Sequence, residues 1–461
     1  MIKFSKILSV ISFIFLYYTS AFSQVSTGWV ARYDGGYADD AGLALTTDDS
    51  DYVYVTGNSA GTVFDRRDMV VLKYSSSGAN QWTRRFATGN FTSGFDVEID
   101  KFYNVIVAGT GIFKYDRDGN LLWYELSTSN STRYNSLVLD DSGNCYVTGF
   151  TNSGIKFITK KFSSDGILRW ERTYQNLDYN IARDIELDKS GNVIITGQSS
   201  KTGSSYAYVT IKYSSNGDHI WLRRYFGGIY NIPYGLAIDD SDNIYVTGWH
   251  QSSNDMINID VLTIKYSPEG DTIWKAVYDG GGGDVGYNIQ VDSLDCVYIG
   301  GVTFGNSYLT LKYDNKGNFL WSRVQLGFEL TYEQPVIEVD RRRNIYMSFV
   351  TLRTGNYPNY AVVKYDNAGN QKWIAEYDNG GVTFNYIHDL ALDKEANVYV
   401  TGQSDGGHGY SIATVKFIQN PTSINPIYSL NPAEYKLEQN YPNPFNPKTI
   451  INYQSAAGGS M

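Results

Sequence analysis

The residue types that most often carry out chemistry are few and scattered in this chain. The histidines are spread over three repeats and lack the close spacing of a metal-binding pair: His219, His250, His388 and His408. No Walker loop or Cys-x-x-Cys motif occurs. We therefore predict no catalytic, cofactor-binding or metal-ligating residue, and a binding protein is favoured over an enzyme.

The two cysteines, Cys145 and Cys296, fall in different repeats, on opposite sides of the ring that the repeats predict. A disulfide requires Cα atoms within about 7 Å. The sequence therefore predicts two buried, unpaired thiols.

Carboxylates are plentiful, since the chain has 48 Asp and Glu residues. Many belong to a recurring Asp-x-x-Gly-Asn phrase, typified by Asp188 to Asn192. The phrase could bind calcium or form a sialidase-like Asp box, but one active site needs one constellation, and this phrase occurs in nearly every repeat. An Asp that accepts hydrogen bonds from its own turn explains the repetition. We expect no cofactor, with calcium as the alternative.

The elements that must position these residues are the strands of a repeat. A phrase such as Ile238-Asp-Asp-Ser-Asp-Asn-Ile-Tyr-Val-Thr-Gly248 occurs eight times and recurs about every 49 residues, a period close to that of propeller blades. Each unit predicts four short strands, of which the first ends at the Asp and the second is Val-Tyr-Val-Thr-Gly. The third carries a Lys before an aromatic residue, and the fourth carries a Trp. The anchoring residues are Asp48, Asp100, Asp140, Asp188, Asp239, Asp292, Asp340 and Asp393.

The strand count predicts how the ring closes. The Trp strand at Trp29 precedes the first complete unit, and the last unit, 387–417, has no Trp strand after it. The N-terminal strand therefore completes the last blade and leaves no open sheet edge. The prediction is an all-β propeller of eight four-stranded blades. An open solenoid, the other architecture considered, would leave both ends incomplete.

The repeat resembles the bacterial "seven-bladed beta-propeller" (SBBP-type) repeats. The resemblance rests on the Asp-x-x-Gly-Asn-x-Tyr-Val-Thr-Gly phrase and covers roughly Trp29 to Phe417. It implies a propeller, and its name implies seven blades, which stands as the alternative to eight. The second unit is abbreviated, because almost no loop separates its second and third strands.

The N-terminus has the three parts of a secretory signal peptide. Lys3 and Lys6 precede an apolar run over 7–18, and small residues precede a cleavage site between Ser23 and Gln24. A buried N-terminal helix is the alternative. No later segment has the roughly 18 apolar residues of a membrane-spanning helix. We predict a protein that is secreted or held at the cell surface after passage through the periplasm.

The C-terminal composition shifts after Phe417, where six of the ten prolines lie between Pro421 and Pro447. The segment from Leu437 to Tyr453 resembles the start of the C-terminal sorting domain of the type IX secretion system of Bacteroidetes-like bacteria. That resemblance implies the export machinery as a partner, and it suggests that the sequence is truncated. Its core motif is Tyr441, Pro442, Asn443, Pro444, Phe445, Asn446 and Pro447. The predicted regions are signal peptide 1–23, propeller 24–418, linker 419–436 and incomplete sorting domain 437–461.

Charge and loop variation bear on the ligand. The net charge of −10 lacks the basic footprint of a nucleic-acid binder. The loops between second and third strands vary widely, and variable loops on a rigid scaffold commonly carry function. Candidate ligand-binding residues there are Arg66, Arg67, Trp249, His250 and Tyr357. We predict a secreted binding or scaffold protein for an extracellular polysaccharide or protein, with a glycan lyase or hydrolase as the alternative.

Overall fold

The computed structural model describes two units of this chain, which are treated separately. The described residues are 25–419 without 37–38, 61–66, 89–90, 127–131, 152–154, 177, 201–204, 253–258, 304, 306, 328–333, 353–357, 381–383 and 406–408, together with 436–437 and 453–454. Every secondary-structure element among the described residues is a β-strand. These residues contain no helix that is long and apolar enough to span a membrane.

The strands follow one another with short connections. In the first half they are β1 (Val25–Tyr33), β2 (Ala41–Thr47), β3 (Val53–Ala60), β4 (Arg67–Tyr74), β5 (Asn80–Phe86), β6 (Gly94–Ile99), β7 (Val105–Gly109), β8 (Gly111–Tyr115), β9 (Leu121–Leu126), β10 (Arg133–Leu139), β11 (Cys145–Thr151), β12 (Lys156–Phe162), β13 (Leu168–Tyr174), β14 (Tyr179–Leu187), β15 (Val193–Ser200), β16 (Tyr206–Tyr213) and β17 (His219–Tyr225). In the second half they are β18 (Tyr230–Ile238), β19 (Ile244–Gln251), β20 (Ile259–Tyr266), β21 (Thr272–Tyr278), β22 (Asp284–Val291), β23 (Val297–Thr303), β24 (Ser307–Tyr313), β25 (Phe319–Leu326), β26 (Ile337–Val339), β27 (Ile345–Leu352), β28 (Pro358–Tyr365), β29 (Gln371–Tyr377), β30 (Asn385–Leu392), β31 (Val398–Asp405), β32 (Tyr410–Gln419), β33 (Lys436–Leu437) and β34 (Tyr453–Gln454).

Strands β1 to β32 form eight antiparallel four-stranded blades. Blades 1 to 7 take consecutive strands, from β2–β5 to β26–β29. Blade 8 consists of β30, β31, β32 and β1, and Trp29 on β1 lies opposite Lys416 on β32. The prediction of an eight-bladed propeller closed by the N-terminal strand is confirmed. The seven-bladed alternative and the open solenoid are wrong, because all eight blades are complete.

The repeated Asp organises the turn between first and second strands. The carboxylate of Asp140 accepts hydrogen bonds from the backbone N–H of Ser142 and Asn144, both at 2.9 Å, and from the Asn144 side chain at 2.7 Å. The equivalent Asp188 also forms an ion pair at 2.9 Å with Lys212, one of the repeated third-strand lysines. The Asp oxygens are therefore occupied by donors of their own blade, in agreement with the turn interpretation.

Seven fourth-strand tryptophans donate a hydrogen bond from the indole N–H to a backbone carbonyl oxygen of the next blade. Trp82 Nε1 donates to the carbonyl oxygen of Arg117 at 3.1 Å, and Lys73 Nζ donates to the same oxygen at 2.9 Å. The Trp82 ring packs on Gly119, where φ is +81° and a Cβ would lie 2.8 Å from the ring. Trp29 donates a corresponding bond to blade 1 at 2.9 Å. The seam between blades 8 and 1 therefore has the same tryptophan-to-carbonyl hydrogen bond as the seam between blades 1 and 2.

The core lies between neighbouring blades. Second-strand residues such as Val53, Tyr54 and Val55 are fully buried, because blades cover both faces of each strand. Both cysteines are free thiols, as predicted. Cys145 is buried, but Cys296 is only half-buried because it lies at the end of the blade 6 turn, so the prediction of burial is wrong for Cys296.

Candidate functional site

In seven blades, the first strand has a β-bulge among its described residues, and the bulge occurs at the same register position each time. The extra residue stands directly before the position that holds Asp96 in blade 2 and Asp184 in blade 4. Bulges of this kind re-aim a side chain and are frequent next to functional sites. The bulged residues are Leu43, Phe95, Asn135, Arg183, Tyr234, Tyr287 and His388.

Six of the seven bulged residues surround one end of the central channel. Together with Arg133 and Gln334 they line a cavity of about 320 Å³, which we call the channel mouth. First strands run from the blade-to-blade connection toward the Asp turn. The channel mouth therefore opens on the disc face that carries the variable loops.

Aromatic rings and guanidinium groups lie side by side at the channel mouth. The Arg133 guanidinium lies 3.6 Å from the centre of the Phe95 ring, and that of Arg183 lies 5.0 Å from the Tyr234 ring. The Tyr234 and Tyr287 rings are 4.7 Å apart. Such rings attract cations through their faces. Together they form an apolar surface with two positive charges.

Neither guanidinium forms an ion pair with a described residue. Arg183 Nη2 donates to Gln198 Oε1 at 3.1 Å, whereas Arg183 Nε is buried without a hydrogen-bond partner. Burial, with a contribution from the charge of Arg183, lowers the pKa of Arg133 to about 10. Burial also lowers the pKa of His388 to about 4, so this imidazole is neutral at pH 7. The channel mouth thus has unused capacity for an anionic group.

A ring of carboxylates lies one residue deeper in the channel. Asp96, Asp184 and Asp389 each accept the next backbone N–H of their own strand and a backbone N–H of the following blade, the latter at 2.7 to 2.8 Å. Burial nevertheless raises their pKa values, to about 7 for Asp96, about 6 for Asp184 and about 7 for Asp389. Asn288 takes the same place in blade 6 and accepts from Ile337 at 3.4 Å. These side chains therefore link alternate pairs of blades.

Three glutamates lie at the first-strand position two residues after the one that holds these carboxylates. Glu98, Glu186 and Glu338 have pKa values raised to about 8, first by burial and then by the charge of neighbouring carboxylates. They border a second cavity of about 560 Å³ enclosed by the first strands. The channel is therefore cationic at its mouth and acidic inside.

Comparisons with known proteins agree with this architecture. A family model described as a beta-propeller repeat (SBBP) matches residues 220–253, from the fourth strand of blade 4 into blade 5. The chain is an eight-bladed β-propeller that carries an SBBP repeat. An uncharacterized WD repeat-containing protein of Acanthamoeba polyphaga mimivirus is 29% identical over 142 residues, which is 28% of this chain and 10% of that protein. The match thus spans about a tenth of the length of this curated relative.

Two solved propellers are similar in fold. One is Sqt1 of Chaetomium thermophilum, bound to the N-terminus of a ribosomal protein, with a TM-score of 0.58 and 9% identity over 86% of this chain and 100% of that one. The other is the Dos1 propeller, with a TM-score of 0.56 and 10% identity over 85% of this chain and 96% of that one. At such low identity, these similarities concern the fold of the propeller alone.

The described residues among those predicted from loop variation belong to two blades, 1 and 5. Trp249, in blade 5, is half-buried, with its ring 6.4 Å from that of Tyr230. His250 is 7% exposed and faces the interior of the blade. Arg67, in blade 1, pairs with Asp39 and is half-buried. Arg66 and Tyr357 lie outside the described residues.

The predicted processing signals also lie outside the described residues. This applies to the cleavage site at Ser23 and Gln24 and to the sorting motif 441–447. The linker and sorting-domain boundaries remain predictions for the same reason, since only β33 and β34 are described beyond residue 419.

Sequence reasoning missed the channel mouth. Its signal was the residue before the channel position in each repeat, which changes from Leu43 to Phe95, Asn135, Arg183 and Tyr234. Strict alternation assigns this residue to one face of the strand, and a bulge is needed to turn it into the channel.

Proposed function

We propose that this propeller is a secreted or cell-surface binding protein that takes an acidic polysaccharide at its channel mouth. The observation that supports it is the pairing of Arg133 and Arg183 with the rings of Phe95, Tyr234 and Tyr287. Guanidinium groups bind carboxylates and sulfates through two parallel hydrogen bonds. Aromatic rings offer flat apolar surfaces against the C–H faces of sugars, so the two features together suit a uronate or a sulfated sugar.

The alternative, a glycan-active lyase or hydrolase, has one observation in its favour. Asp96, Asp184 and Asp389 have pKa values near 6 to 7, which is the range of a general acid at neutral pH. Each of them, however, already accepts two backbone N–H groups. These bonds hold the ring together, and they favour binding over catalysis.

The test is a glycan array of neutral, uronate-containing and sulfated polysaccharides, followed by calorimetry with the best ligand. We expect retention of acidic glycans and at least a tenfold loss of affinity in Arg133→Ala and Arg183→Ala. Arg341→Ala, an exposed arginine on the opposite disc face, is the matched control and should bind normally.

A parallel assay measures reducing ends and unsaturated products released from the same glycans. Binding without release supports the binding protein, whereas release that is lost in Asp184→Asn supports the enzyme. Equal binding of neutral and acidic glycans by wild type and by both arginine variants would contradict a site at the channel mouth.

A further inference from the structure

Three carboxylates converge where blade 5 passes to blade 6. Asp260 lies near the start of β20, Asp279 follows β21, and Asp284 begins β22. Each offers an oxygen that lies within 4.8 Å of those of the other two. No Lys or Arg among the described residues pairs with any of them. The cluster is distinct from the channel mouth and uses none of its residues.

The innermost carboxylate is only half satisfied. Asp284 is fully buried, and its Oδ2 accepts the backbone N–H of Gly280 at 2.6 Å. Its Oδ1 has no hydrogen-bond partner. Burial is the main cause that raises the pKa of Asp284. The Thr303 hydroxyl beside it favours the charged form without completing a hydrogen bond to Oδ1. A buried carboxylate oxygen without a donor is costly, and it points to a missing partner.

A neighbouring histidine supplies an independent observation. His250 lies directly opposite Asp260 in the ladder, and its Nε2 is 4.0 Å from Asp260 Oδ2, too far for a hydrogen bond. The imidazole is more than nine-tenths buried, and its Nδ1 has no partner either.

Blade 1 has an arginine at the position that corresponds to this carboxylate cluster. Asp68, equivalent to Asp260, forms an ion pair at 2.7 Å with Arg85 on the fourth strand. Arg85 lies opposite Val70, two residues after Asp68, and the residue in that register in blade 5 is Val277. Blade 5 therefore keeps the carboxylate but lacks the cation.

The seam between blades 8 and 1 also contains an arginine at this register. There Arg32 takes the place of Val277 and donates to the hydroxyls of Ser404 at 2.7 Å and Ser411 at 3.1 Å. Asp40, which corresponds to Asp284, has both oxygens bonded to backbone N–H groups, at 2.7 and 3.0 Å. Among these three seams, a positive charge is missing only where the three carboxylates meet.

We propose that Asp260, Asp279 and Asp284 bind one calcium ion, which supplies the positive charge that Arg85 supplies to Asp68 in blade 1. Carboxylate oxygens are the ligands that Ca²⁺ prefers, and an exposed group such as Asp279 leaves room for water in the remaining positions. His250 lines the buried side of the site. The ion would tie the end of blade 5 to the start of blade 6, close to Trp249.

The experiment uses the mature chain after treatment with a chelator. Calcium stoichiometry is measured by elemental analysis and calorimetry, and stability by the thermal midpoint with and without 1 mM Ca²⁺, a concentration typical of extracellular sites. We expect one ion per chain and a rise of the midpoint by about 2 °C or more.

Asp279→Asn tests the site with little risk to folding, because Asp279 is exposed. We expect it to lose both the bound ion and the calcium-dependent rise. Asp34→Asn is the matched control, since Asp34 makes the same turn at the seam of blades 8 and 1, accepting the Gly36 N–H at 2.7 Å, and should behave as wild type.

Three outcomes would overturn the proposal. They are the absence of calcium binding in the wild type, an unchanged stoichiometry in Asp279→Asn, and a preference for Zn²⁺ over Ca²⁺. None of these outcomes depends on glycan binding, so failure here and failure of the proposed function are distinguishable.

Discussion

The repeated aspartates and lysines form hydrogen bonds and ion pairs that stabilise the turns and seams of this propeller. Asp188 receives the Ser190 and Asn192 backbone N–H groups at 2.9 and 2.8 Å, in addition to its ion pair with Lys212. Burial acts against its charge, but the hydrogen bonds from Lys212 and Asn192 outweigh burial and lower the pKa of Asp188. Lys212 also donates to the Pro268 carbonyl oxygen of the next blade at 3.0 Å. One side chain thus links the turn, the blade and the seam.

Asp188→Ala is expected to destabilise the propeller by about 3 kcal/mol, because it leaves Lys212 buried without its carboxylate. Urea unfolding of the variant and wild type measures the difference. Asp141→Ala, an exposed Asp in another turn, should change the stability by less than about 0.5 kcal/mol. Equal effects of the two substitutions would show that the ion pair is not the cause.

The three channel glutamates predict that the stability of the propeller depends on pH. Their folded-state pKa values of about 8 exceed the ordinary value of 4.5, so the folded state holds more protons than the unfolded state between these pH values. Stability should therefore fall as the pH rises from about 5 to 8. We expect Glu98→Gln/Glu186→Gln/Glu338→Gln to raise the thermal midpoint at pH 8.5 by at least about 2 °C.

The same triple variant should leave the midpoint at pH 5 nearly unchanged, because the wild-type glutamates are then protonated. The measurement is a series of thermal scans of both proteins between pH 5 and 8.5. Parallel curves across this range would contradict repulsion among the channel carboxylates.

At the scale of elements, the four strands of a blade have different roles. First strands line the channel, and their bulge lets two consecutive side chains, such as Arg183 and Asp184, reach the channel mouth and the neighbouring blade, respectively. Fourth strands lie at the outer edge and use their Trp to hold the next blade. The Asp or Asn of even-numbered blades accepts an N–H of the following odd-numbered blade, so the inner ring consists of four linked pairs.

Deleting 25–33 should destabilise the whole ring, because it removes β1 from blade 8 and exposes the edge of β32. We expect a thermal midpoint lower by at least about 5 °C and aggregation at micromolar concentration, measured by calorimetry and light scattering. A narrower variant, Trp29→Ala, keeps the strand but removes the bond to Ser76 and the packing on Gly78.

The narrower variant should give an intermediate midpoint without aggregation. An unchanged midpoint in the deletion would show that the ring does not depend on closure by the N-terminal strand.

At the scale of the whole molecule, the ring separates charge. The mouth exposes two arginines, whereas carboxyl groups line the channel further inside. The ring closes only after the last blade has been made, because β1 completes blade 8.

Processing between Ser23 and Gln24 would leave β1 intact, since that strand begins at Val25. We predict that the exported protein starts at Gln24, which is measured by mass spectrometry of the periplasmic and extracellular fractions of an expressing bacterium. A variant without 1–23 should stay in the cytoplasm. An exported protein that retains Met1 would contradict the signal peptide.

Local chemistry explains why the architecture could be predicted. The Asp turn, the buried Val-Tyr-Val strand and the Trp strand are each encoded within about 50 residues, and counting them gave eight blades and closure by Trp29. Residues that act within a blade, such as Asp140, were interpreted correctly because their partners are near in sequence.

The sites depended on the tertiary structure, because ring closure brings together residues from separate blades. Arg133, Arg183 and Tyr234 belong to blades 3, 4 and 5 and meet only around the channel, after bulges have turned two of them inward. His250 was a candidate from its loop position, but neighbouring strands and connections bury it beside Asp260. Sequence alone determined the repeat, the strand order and the blade number, since these follow from short-range pattern. Which side chains share a cavity was decided by the curvature of the ring and the local breaks in strand register.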